Sequence, residues 1–417
     1  MIAIVLLWPG ISRHSHGPMR RERPYTNAET VDQPTPEPAH VVREVSAALN
    51  MTPIPGCNNS EFAYYVYPVD QKYTYGYIQA ARADPNFEWL DPASRHSHHV
   101  AEILFLDALQ KHPSRTMNPA CADAFYVPVL PGLRAGFPKA DFTPILKQVQ
   151  ASIWFKRMGQ GSDHFAVDHV VEPQVREALP GIHYLAHEIK VIGRGVTPDL
   201  FSKADVLRGV GRDIVIPYPD FGAYMYTPDE DVRASWTVRD KLAIFIGSLT
   251  ENSKALRTAA MKSMDGAEDA MFVNIARSKL DLDQIMPLTM RGVFGISPTG
   301  DSHSARRTYT LINCGTIPVL LCDYCELPWE WHFRYEEFMV FIPEAEVMAG
   351  NLMRILRSIP SRRIAAMQEK LLEVRHSFNF SSADTSPRST VDLALADVAL
   401  RTMPLRRYRR LSRVVVP

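Results

Sequence analysis

The sequence predicts an α/β protein made of two Rossmann-like domains. Short apolar runs typical of strands buried on both faces of a parallel sheet occur in both halves of the chain, for example Ala124–Val129 and Leu242–Gly247. Segments with the apolar spacing of a buried helix, such as Ser97–Lys111, separate these runs. The chain has 417 residues, which is enough for two domains with a substantial core each.

One βαβ unit can be identified residue by residue in the second half of the chain. Gly292–Ser297 is apolar and β-prone and runs into the breaker sequence Pro-Thr-Gly-Asp-Ser, so it predicts a strand that enters a tight loop. We expect a helix from near Ser304, capped by Ser302 or Ser304. Gly315 is placed to end that helix in a left-handed conformation. Ile317–Cys322 is a continuous apolar run and predicts the next parallel strand.

The start of the predicted helix is suited to an anion. Backbone N–H groups are free there, and the helix dipole is positive at this end. Arg306 and Arg307 add two planar guanidinium groups that fit phosphate oxygens, and Ser302, His303 and Ser304 add further polar groups. A diphosphate is the natural ligand for such a set. The alternative is a surface helix with two solvated arginines, and the helix by itself does not decide between the two.

The sequence around this unit resembles the exostosin family of glycosyltransferases. That family carries a phrase of the form P-x-G-D-x-x-S-x-R-R, followed by G-C-I-P-V and S-D-x-x-E-L-P-F-E. This chain matches it at Pro298, Gly300, Asp301, Ser304, Arg306, Arg307, Gly315, Ile317, Pro318, Val319, Asp323, Glu326, Leu327, Pro328 and Glu330. The resemblance runs from about Glu61 to about Phe380. It implies a GT-B type fold, in which two Rossmann-like domains face a cleft.

In this fold, as the resemblance implies, the C-terminal domain binds a nucleotide-sugar donor and the N-terminal domain presents the acceptor. The matching positions that would bind the donor are Gly300, Ser304, Arg306, Arg307, Arg257, Glu326 and Glu330. The chain departs from the family three residues after the second arginine, where the family commonly has an acidic residue and this chain has Thr310. If the acidic group contacts the donor, this departure puts the choice of donor, or activity itself, in doubt.

A loop in the first domain is the candidate for the catalytic base. The family writes W-N-R-x-x-G-x-D-H-F, and here Asp163 and His164 follow a glycine loop at the start of a predicted strand. A carboxylate beside an imidazole is a plausible acid–base pair. The alternative, a turn-capping aspartate and a structural histidine, is favoured by the residues alone. His169 is a third candidate, although the family's next His-Asp pair is reversed and shifted by one residue in this chain.

We expect no metal and no cofactor. Asp281 and Asp283 form a D-x-D triplet, which holds a divalent metal in other glycosyltransferases, but three-residue matches arise easily by chance. Cys322 and Cys325 have C-x-x-C spacing without the second pair that a structural zinc site needs. The chain has 5 cysteines, too few for a disulfide scaffold, so these two are expected to be structural or incidental.

The chain is expected to fall into four parts. Residues 1–55 read as an anchor remnant and a disordered stem, because Met1–Trp8 is apolar but shorter than the roughly 20 residues that span a membrane. Residues 56–225 form the acceptor-side domain and residues 236–383 the nucleotide-sugar-binding domain. Residues 384–417 form a basic tail, which we expect to be solvated.

The resulting hypothesis is an inverting glycosyltransferase that moves a sugar from a nucleotide-sugar donor to a hydroxyl of a polysaccharide or other glycan. The alternative is a catalytically impaired, glycosyltransferase-like protein that binds glycan or supports an active partner in a synthase complex. The expected location is the Golgi membrane, with the catalytic part in the lumen and an anchor that is incomplete in this sequence. A formal net charge of zero gives no indication of nucleic-acid binding, and homo- or hetero-oligomers are left open.

Overall fold

The computed structural model describes both halves of the chain, with gaps between the described ranges. These ranges are residues 57, 62–90, 101–157, 160–168, 173–186, 213–219, 227–249, 253–278, 280, 282–300, 304–323, 325–380 and 389–414.

Six parallel strands form the first sheet. They are β1 (Tyr64–Val66), β2 (Arg115–Thr116), β3 (Ala124–Tyr126), β4 (His164–Val167), β5 (His183–Ala186) and β6 (Asp213–Val215). Their order is β2-β1-β3-β4-β5-β6, and each described pairing is parallel. Strands β3 to β6 are buried along their whole length, as expected for a parallel sheet with both faces covered.

Six helices within the described ranges accompany this sheet. They are α1 (Tyr75–Arg82), α2 (Ala101–Lys111), α3 (Pro131–Gly136), α4 (Thr143–Ala151), α5 (Ile153–Lys156) and α6 (Pro173–Ala178). The apolar spacing that predicts a helix up to Lys111 is realised in α2, which buries Phe105, Leu106 and Leu109 almost completely. The first four residues of that predicted segment lie outside the described residues.

Five parallel strands form the second sheet. They are β7 (Lys241–Ile246), β8 (Ala270–Val273), β9 (Gly292–Pro298), β10 (Ile317–Leu321) and β11 (Val340–Phe341). Their order is β11-β10-β9-β7-β8, again with parallel pairing throughout. The strands predicted from the breaker run and the apolar run are therefore confirmed to within one residue, and two parallel sheets in one chain confirm the predicted α/β class.

Nine further helices are described in the second half of the chain. They are α7 (Asp229–Ser235), α8 (Lys254–Met264), α9 (Ile275–Ser278), α10 (Leu282–Met290), α11 (Arg306–Asn313), α12 (Glu344–Met348), α13 (Leu352–Arg357), α14 (Ser361–Val374) and α15 (Thr390–Val414). Helix α11 connects β9 to its parallel neighbour β10 and completes the predicted βαβ unit.

Helix α11 packs unusually close to β9. Gly295 on β9 faces Leu311 on the helix, and a Cβ atom added to Gly295 would lie 2.0 Å from Leu311 Cδ2. Beyond the helix, Gly315 has a φ of +60°, the left-handed conformation that glycine adopts without steric cost. A Cβ at Gly315 would also lie 2.2 Å from Val232 Cγ1. The predicted helix end is confirmed, and glycine is needed there for packing as well as for its backbone.

Two arginines hold the carboxyl end of α11. Arg239 Nη2 donates to the carbonyl oxygens of Cys314 at 3.2 Å and Gly315 at 2.9 Å. Arg375 Nη1 donates to the carbonyl oxygen of Asn313. These carbonyls carry the negative end of the helix dipole, so the two guanidinium groups stabilise the helix and fix its position.

The last helix begins within residues 384–417, which were predicted to form a solvated basic tail, and its first half is buried against the fold. The arginine side chains from 406 to 413 lie outside the described residues, so their exposure stays a prediction. Helix α15 packs against α2, β3 and β6 of the first domain and buries Leu393, Val398 and Met403. Its Asp392 lies 3.0 Å from His112 Nε2 in the first domain, and its Asp397 accepts from the Trp331 indole of the second domain at 3.4 Å. The chain therefore returns to the first domain after completing the second.

Four of the five cysteines are paired. Cys57 bonds to Cys121, and Cys322 bonds to Cys325, while Cys314 is buried and belongs to neither disulfide. Cys322 and Cys325 were expected to be structural or incidental, and they are bonded to each other. Two disulfides in a chain of 417 residues agree with the expectation that the cysteines are too few for a disulfide scaffold. Spacing alone could not identify the pair that joins residues 64 positions apart.

We expect Gly295→Ala to destabilise the second domain, because its methyl group would overlap the Leu311 side chain and push α11 away from β9. Overpacking of this kind costs about 1–3 kcal/mol, which urea-induced unfolding can measure. Gly76→Ala in α1 is the matched control, since its nearest contact would be an ordinary 3.5 Å and alanine favours a helix. Equal stability of the two variants would contradict the close packing.

Candidate functional site

The candidate site lies at the carboxyl edge of the second sheet. Strands β7, β9 and β10 are neighbours in the sheet order, and they end at Ile246, Pro298 and Leu321. The loops that follow these strands therefore meet at one edge. Ligands of open parallel α/β sheets bind at this edge, where helices begin and their backbone N–H groups point outward.

The residue at the cap position of α11 gives the first turn no side-chain cap. The residue before the helix is Ala305, whose backbone is extended and whose side chain has no hydrogen-bonding group. The predicted cap is therefore wrong for Ser304, which lies one residue too early, and Ser302 lies outside the described residues. Because the residue at the cap position offers no oxygen to this turn, an exogenous anion can accept from its N–H groups.

Arg307 brings a positive charge to the same edge on a half-buried side chain. Its guanidinium lies over the ring of Phe245, with Cζ 5.3 Å from the ring centroid. Gly247, directly after β7, makes room for it, since a Cβ there would lie 2.6 Å from both Nη atoms. Nη1 is buried and has no hydrogen-bond partner among the described residues. Burial, together with the charges of Arg257 and Arg306, lowers the pKa of Arg307 to about 9, so an incoming anion would be stabilised here.

Arg257 was expected to contact the donor, but its guanidinium donates to backbone carbonyl oxygens of two loops instead. Its Nε and Nη2 donate to the carbonyl oxygen of Thr299 at 2.9 and 2.7 Å, and its Nη1 donates to that of Ser248 at 2.7 Å. These carbonyls belong to the loops after β9 and β7. The side chain therefore joins two site loops and positions the glycine turn at Gly300, and it is itself only 5% exposed.

Arg306 and Ser304 lie beside Arg307 at the helix start. Arg306 is the first residue of α11 and is half-buried. Ser304 Oγ donates to the hydroxyl of Tyr218 at 2.9 Å, and Tyr218 follows β6 of the first domain. Sequence reasoning missed this contact of Tyr218 with the site, because the two residues are 86 positions apart.

The loop after β10 carries the two predicted glutamates. Glu330 Oε1 accepts from the backbone N–H of Leu327 at 3.1 Å, so this carboxylate shapes the turn in which it lies. Glu326 is exposed. The disulfide between Cys322 and Cys325 closes the start of the same loop. The loop is thus fixed by covalent and hydrogen bonds, and its exposed carboxylates are those of Asp323 and Glu326.

The predicted acid–base pair is buried inside the first domain. Asp163 and His164 are both 0% exposed. His164 Nδ1 lies 2.8 Å from Asp163 Oδ1, and Nε2 lies 2.8 Å from the hydroxyl of Tyr67. The His164 ring stacks on Phe125, with centroids 4.8 Å apart. Burial also raises the pKa of Tyr67 to about 12.

This arrangement contradicts the prediction that Asp163 and His164 reach the cleft. Both lie at the amino end of β4, opposite to the edge at which substrates of parallel sheets bind, and neither is exposed to an acceptor. The structural histidine of the alternative interpretation describes His164, and the Asp163 carboxylate contacts its imidazole. His169 lies outside the described residues, so its place in the site stays a prediction.

Two structural features are absent from the described residues, a membrane-spanning helix and a cluster of metal ligands. None of their helices combines the length and the apolar character that a membrane span requires. Among the same residues, no group of three or more His, Cys, Asp or Glu side chains is arranged to hold a metal ion. Asp281 and the side chain of Asp283, which make up the D-x-D triplet, lie outside the described part of the chain.

Comparison with known proteins gives the family. The model of the Exostosin GT47 domain matches residues 58–359. A probable beta-1,4-xylosyltransferase of Arabidopsis thaliana is 28% identical over 74% of this chain and 73% of its own length. A probable arabinosyltransferase of the same plant is 24% identical over 76% of this chain and 74% of its own. A probable glucuronoxylan glucuronosyltransferase, also from that plant, is 25% identical over 71% and 66%.

Among solved structures, the pneumococcal O-GlcNAc transferase GtfA in complex with UDP and GlcNAc covers 59% of this chain and 59% of its own, with 11% identity and a TM-score of 0.30. A likeness this distant carries no argument about the site. The family match spans both parallel sheets and includes the loops after β7 and β9 and the start of α11. The chain therefore belongs to the exostosin GT47 family of glycosyltransferases.

Proposed function

We propose that the protein is an inverting glycosyltransferase that moves a sugar from a nucleoside-diphosphate donor to a hydroxyl of a glycan. The observation that carries this proposal is the buried Nη1 of Arg307, which has no hydrogen-bond partner among the described residues, beside the uncapped start of α11. The relatives named above are described as transferring xylose, glucuronic acid or arabinose, and one of them is described as acting on glucuronoxylan. We therefore propose a xylan-type polysaccharide as the acceptor.

The reaction proposed is a direct displacement at the anomeric carbon. The acceptor hydroxyl loses its proton to a base and forms a bond to the anomeric carbon. The bond from that carbon to the phosphate oxygen breaks at the same time, and the nucleoside diphosphate leaves with its electron pair. Negative charge grows on the leaving phosphate, where Arg306, Arg307 and the N–H groups of α11 are preorganised to stabilise it. Because these groups balance the negative charge of the leaving phosphate, the proposed transfer requires no metal ion.

We propose His169 as the base, because the two neighbouring candidates are buried away from the acceptor side. It follows Asp168, the residue after β4, and the carboxyl edge of β4 faces the side on which parallel sheets bind substrates. An imidazole has a pKa near 6.5, so it can accept a proton at the mildly acidic pH of a secretory compartment.

We propose the Golgi lumen as the site of action. The two disulfides support this location, because such bonds form and persist in the oxidising secretory pathway and are rare in the cytosol. The test is the cellular distribution of the tagged full chain against Golgi and cytosolic markers.

We expect Arg307→Ala to weaken the binding of UDP or GDP by about 1.5–3 kcal/mol, the range for a hydrogen bond to a charged group. The variant should unfold no more readily than the wild type, since it removes a buried charge with no hydrogen-bond partner on Nη1 among the described residues. Calorimetric titration and thermal unfolding measure these two effects separately.

Two further variants sharpen this test. Gly247→Ala would displace the guanidinium without removing it, and should weaken binding in the same way. Arg362→Ala changes the net charge equally at an exposed position on α14 and should bind like the wild type. Unchanged affinity in a folded Arg307→Ala variant would remove Arg307 from the site.

We expect His169→Ala to lower turnover by about 10²- to 10⁴-fold, the usual contribution of a general base, with unchanged affinity for the nucleoside diphosphate. His164→Ala and Asp163→Asn should instead lower the melting temperature, because each leaves a buried hydrogen-bonding group without its partner. Steady-state turnover, calorimetry and thermal unfolding of all three variants give the comparison. If His169→Ala keeps more than about a tenth of normal turnover, outside that range, the base lies elsewhere.

A further inference from the structure

One hydrogen bond joins the carboxyl edges of the two sheets at the site. Tyr218 lies three residues beyond β6 of the first sheet, and Ser304 lies two residues before α11 of the second. Their hydroxyl oxygens are 2.9 Å apart, with Ser304 as the donor. The phenol ring of Tyr218 is half-buried and lies 6.1 Å from the ring of Tyr309, which is one turn into the same helix.

The packing around this bond makes it specific to one arrangement of the domains. Tyr309 is only 2% exposed, and it belongs to the same buried apolar cluster as the first sheet's strands, with Tyr218 packed against that cluster. Tyr218 therefore approaches α11 over a surface that exists only while the first domain and the helix are in contact. Its hydroxyl is positioned by the ring, and the ring is positioned by the interface between the domains.

In a bond between two hydroxyl groups, either group can be the donor, so the direction of donation can reverse. Each hydroxyl has one proton to donate, and it can also accept. In the structure Ser304 uses its proton on Tyr218. A phosphate oxygen is an acceptor only, so Ser304 could serve it only by turning its proton toward the phosphate. Tyr218 would then donate to Ser304, and the three groups would form a chain of hydrogen bonds from the first domain to the donor. Bonds in such a chain strengthen one another.

We propose that Tyr218 is a positioning residue that couples binding of the donor diphosphate to docking of the acceptor-side domain. This inference rests on the proposed function, because it needs a phosphate at the start of α11. After reversal of the Ser304–Tyr218 bond, Tyr218 strengthens the bond from Ser304 to the phosphate only when the two domains are together. The first domain, which presents the acceptor, would then be held in register with the bound donor.

The test is a double-mutant cycle of Tyr218→Phe and Ser304→Ala, read by calorimetric titration with UDP and GDP. Tyr218→Phe keeps the ring against Tyr309 and removes only the hydroxyl. Ser304→Ala should weaken binding about three- to tenfold, the loss of one hydrogen bond to the phosphate. Tyr218→Phe should weaken it by less than about threefold, because it removes only the strengthening that Tyr218 gives to that bond. The double variant should bind like Ser304→Ala, because Tyr218 acts through Ser304. Ser304→Thr, which keeps the hydroxyl, should restore binding.

A matched control separates coupling from general loss of stability. Tyr77→Phe removes a hydroxyl that bonds to the Asp141 carbonyl within the first domain, and it should leave binding unchanged. The second readout is the fraction of donor lost to water in the presence of a xylan oligosaccharide. It should rise in Tyr218→Phe, because the acceptor is no longer held in register, whereas a variant that is only less stable would lose hydrolysis and transfer together.

Failure of this inference differs from failure of the proposed function. If the wild type binds neither UDP nor GDP, the proposed function itself falls, and this inference falls with it. If the wild type binds one of them but the single losses add in the double variant, or Tyr218→Phe binds like the wild type, the coupling is overturned while the proposed function stands.

Discussion

The guanidinium of Arg307 is the constraint on which the candidate site depends. Its Nη1 is buried and has no hydrogen-bond partner among the described residues, and burying a cation without a matching anion is costly. The surrounding structure holds Arg307 in place nonetheless. Gly247 leaves it space, and the ring of Phe245 lies beneath it. Arg257 fixes the two loops on either side, so the charge remains in position for a ligand. A charged group whose pKa is shifted by burial is typical of a functional site, where the ligand supplies the missing charge.

The helix that carries Arg307 is fixed along its whole length. Gly295 brings it close to β9, and at its carboxyl end Gly315 and the guanidinium groups of Arg239 and Arg375 hold it in place. The residue at its cap position, Ala305, gives its first turn no side-chain cap. The same helix meets the first domain, and α15 returns there with contacts to both domains. The start of α11 is thus joined to the first domain by packing and hydrogen bonds.

The sequence predicted correctly those features that depend on interactions between residues close together in the chain. The breaker run after β9, the left-handed Gly315 and the apolar run of β10 each act over a few residues, and each was found as expected. The cap predicted at Ser304 was wrong because Ala305, one residue later, holds the cap position. The Ser304 hydroxyl bonds instead to Tyr218, which is 86 residues away in sequence. Arg257 and His164 were misread for a similar reason. A sequence shows that a polar side chain is present, but its partners in three dimensions decide whether it faces a ligand or the core. The buried contacts of α15 were not predicted, because the arginines that follow its apolar residues suggested that the whole segment is solvated.

The central claim is that arginine side chains and a helix start, without a metal ion, neutralise the leaving diphosphate. The most direct measurement is the rate of donor hydrolysis over a panel of nucleotide sugars, in EDTA and in excess manganese. The account predicts that the rate with the preferred donor is the same in both. Loss of activity in EDTA, with recovery on addition of manganese, would contradict it and would bring Asp281 and Asp283 into the site.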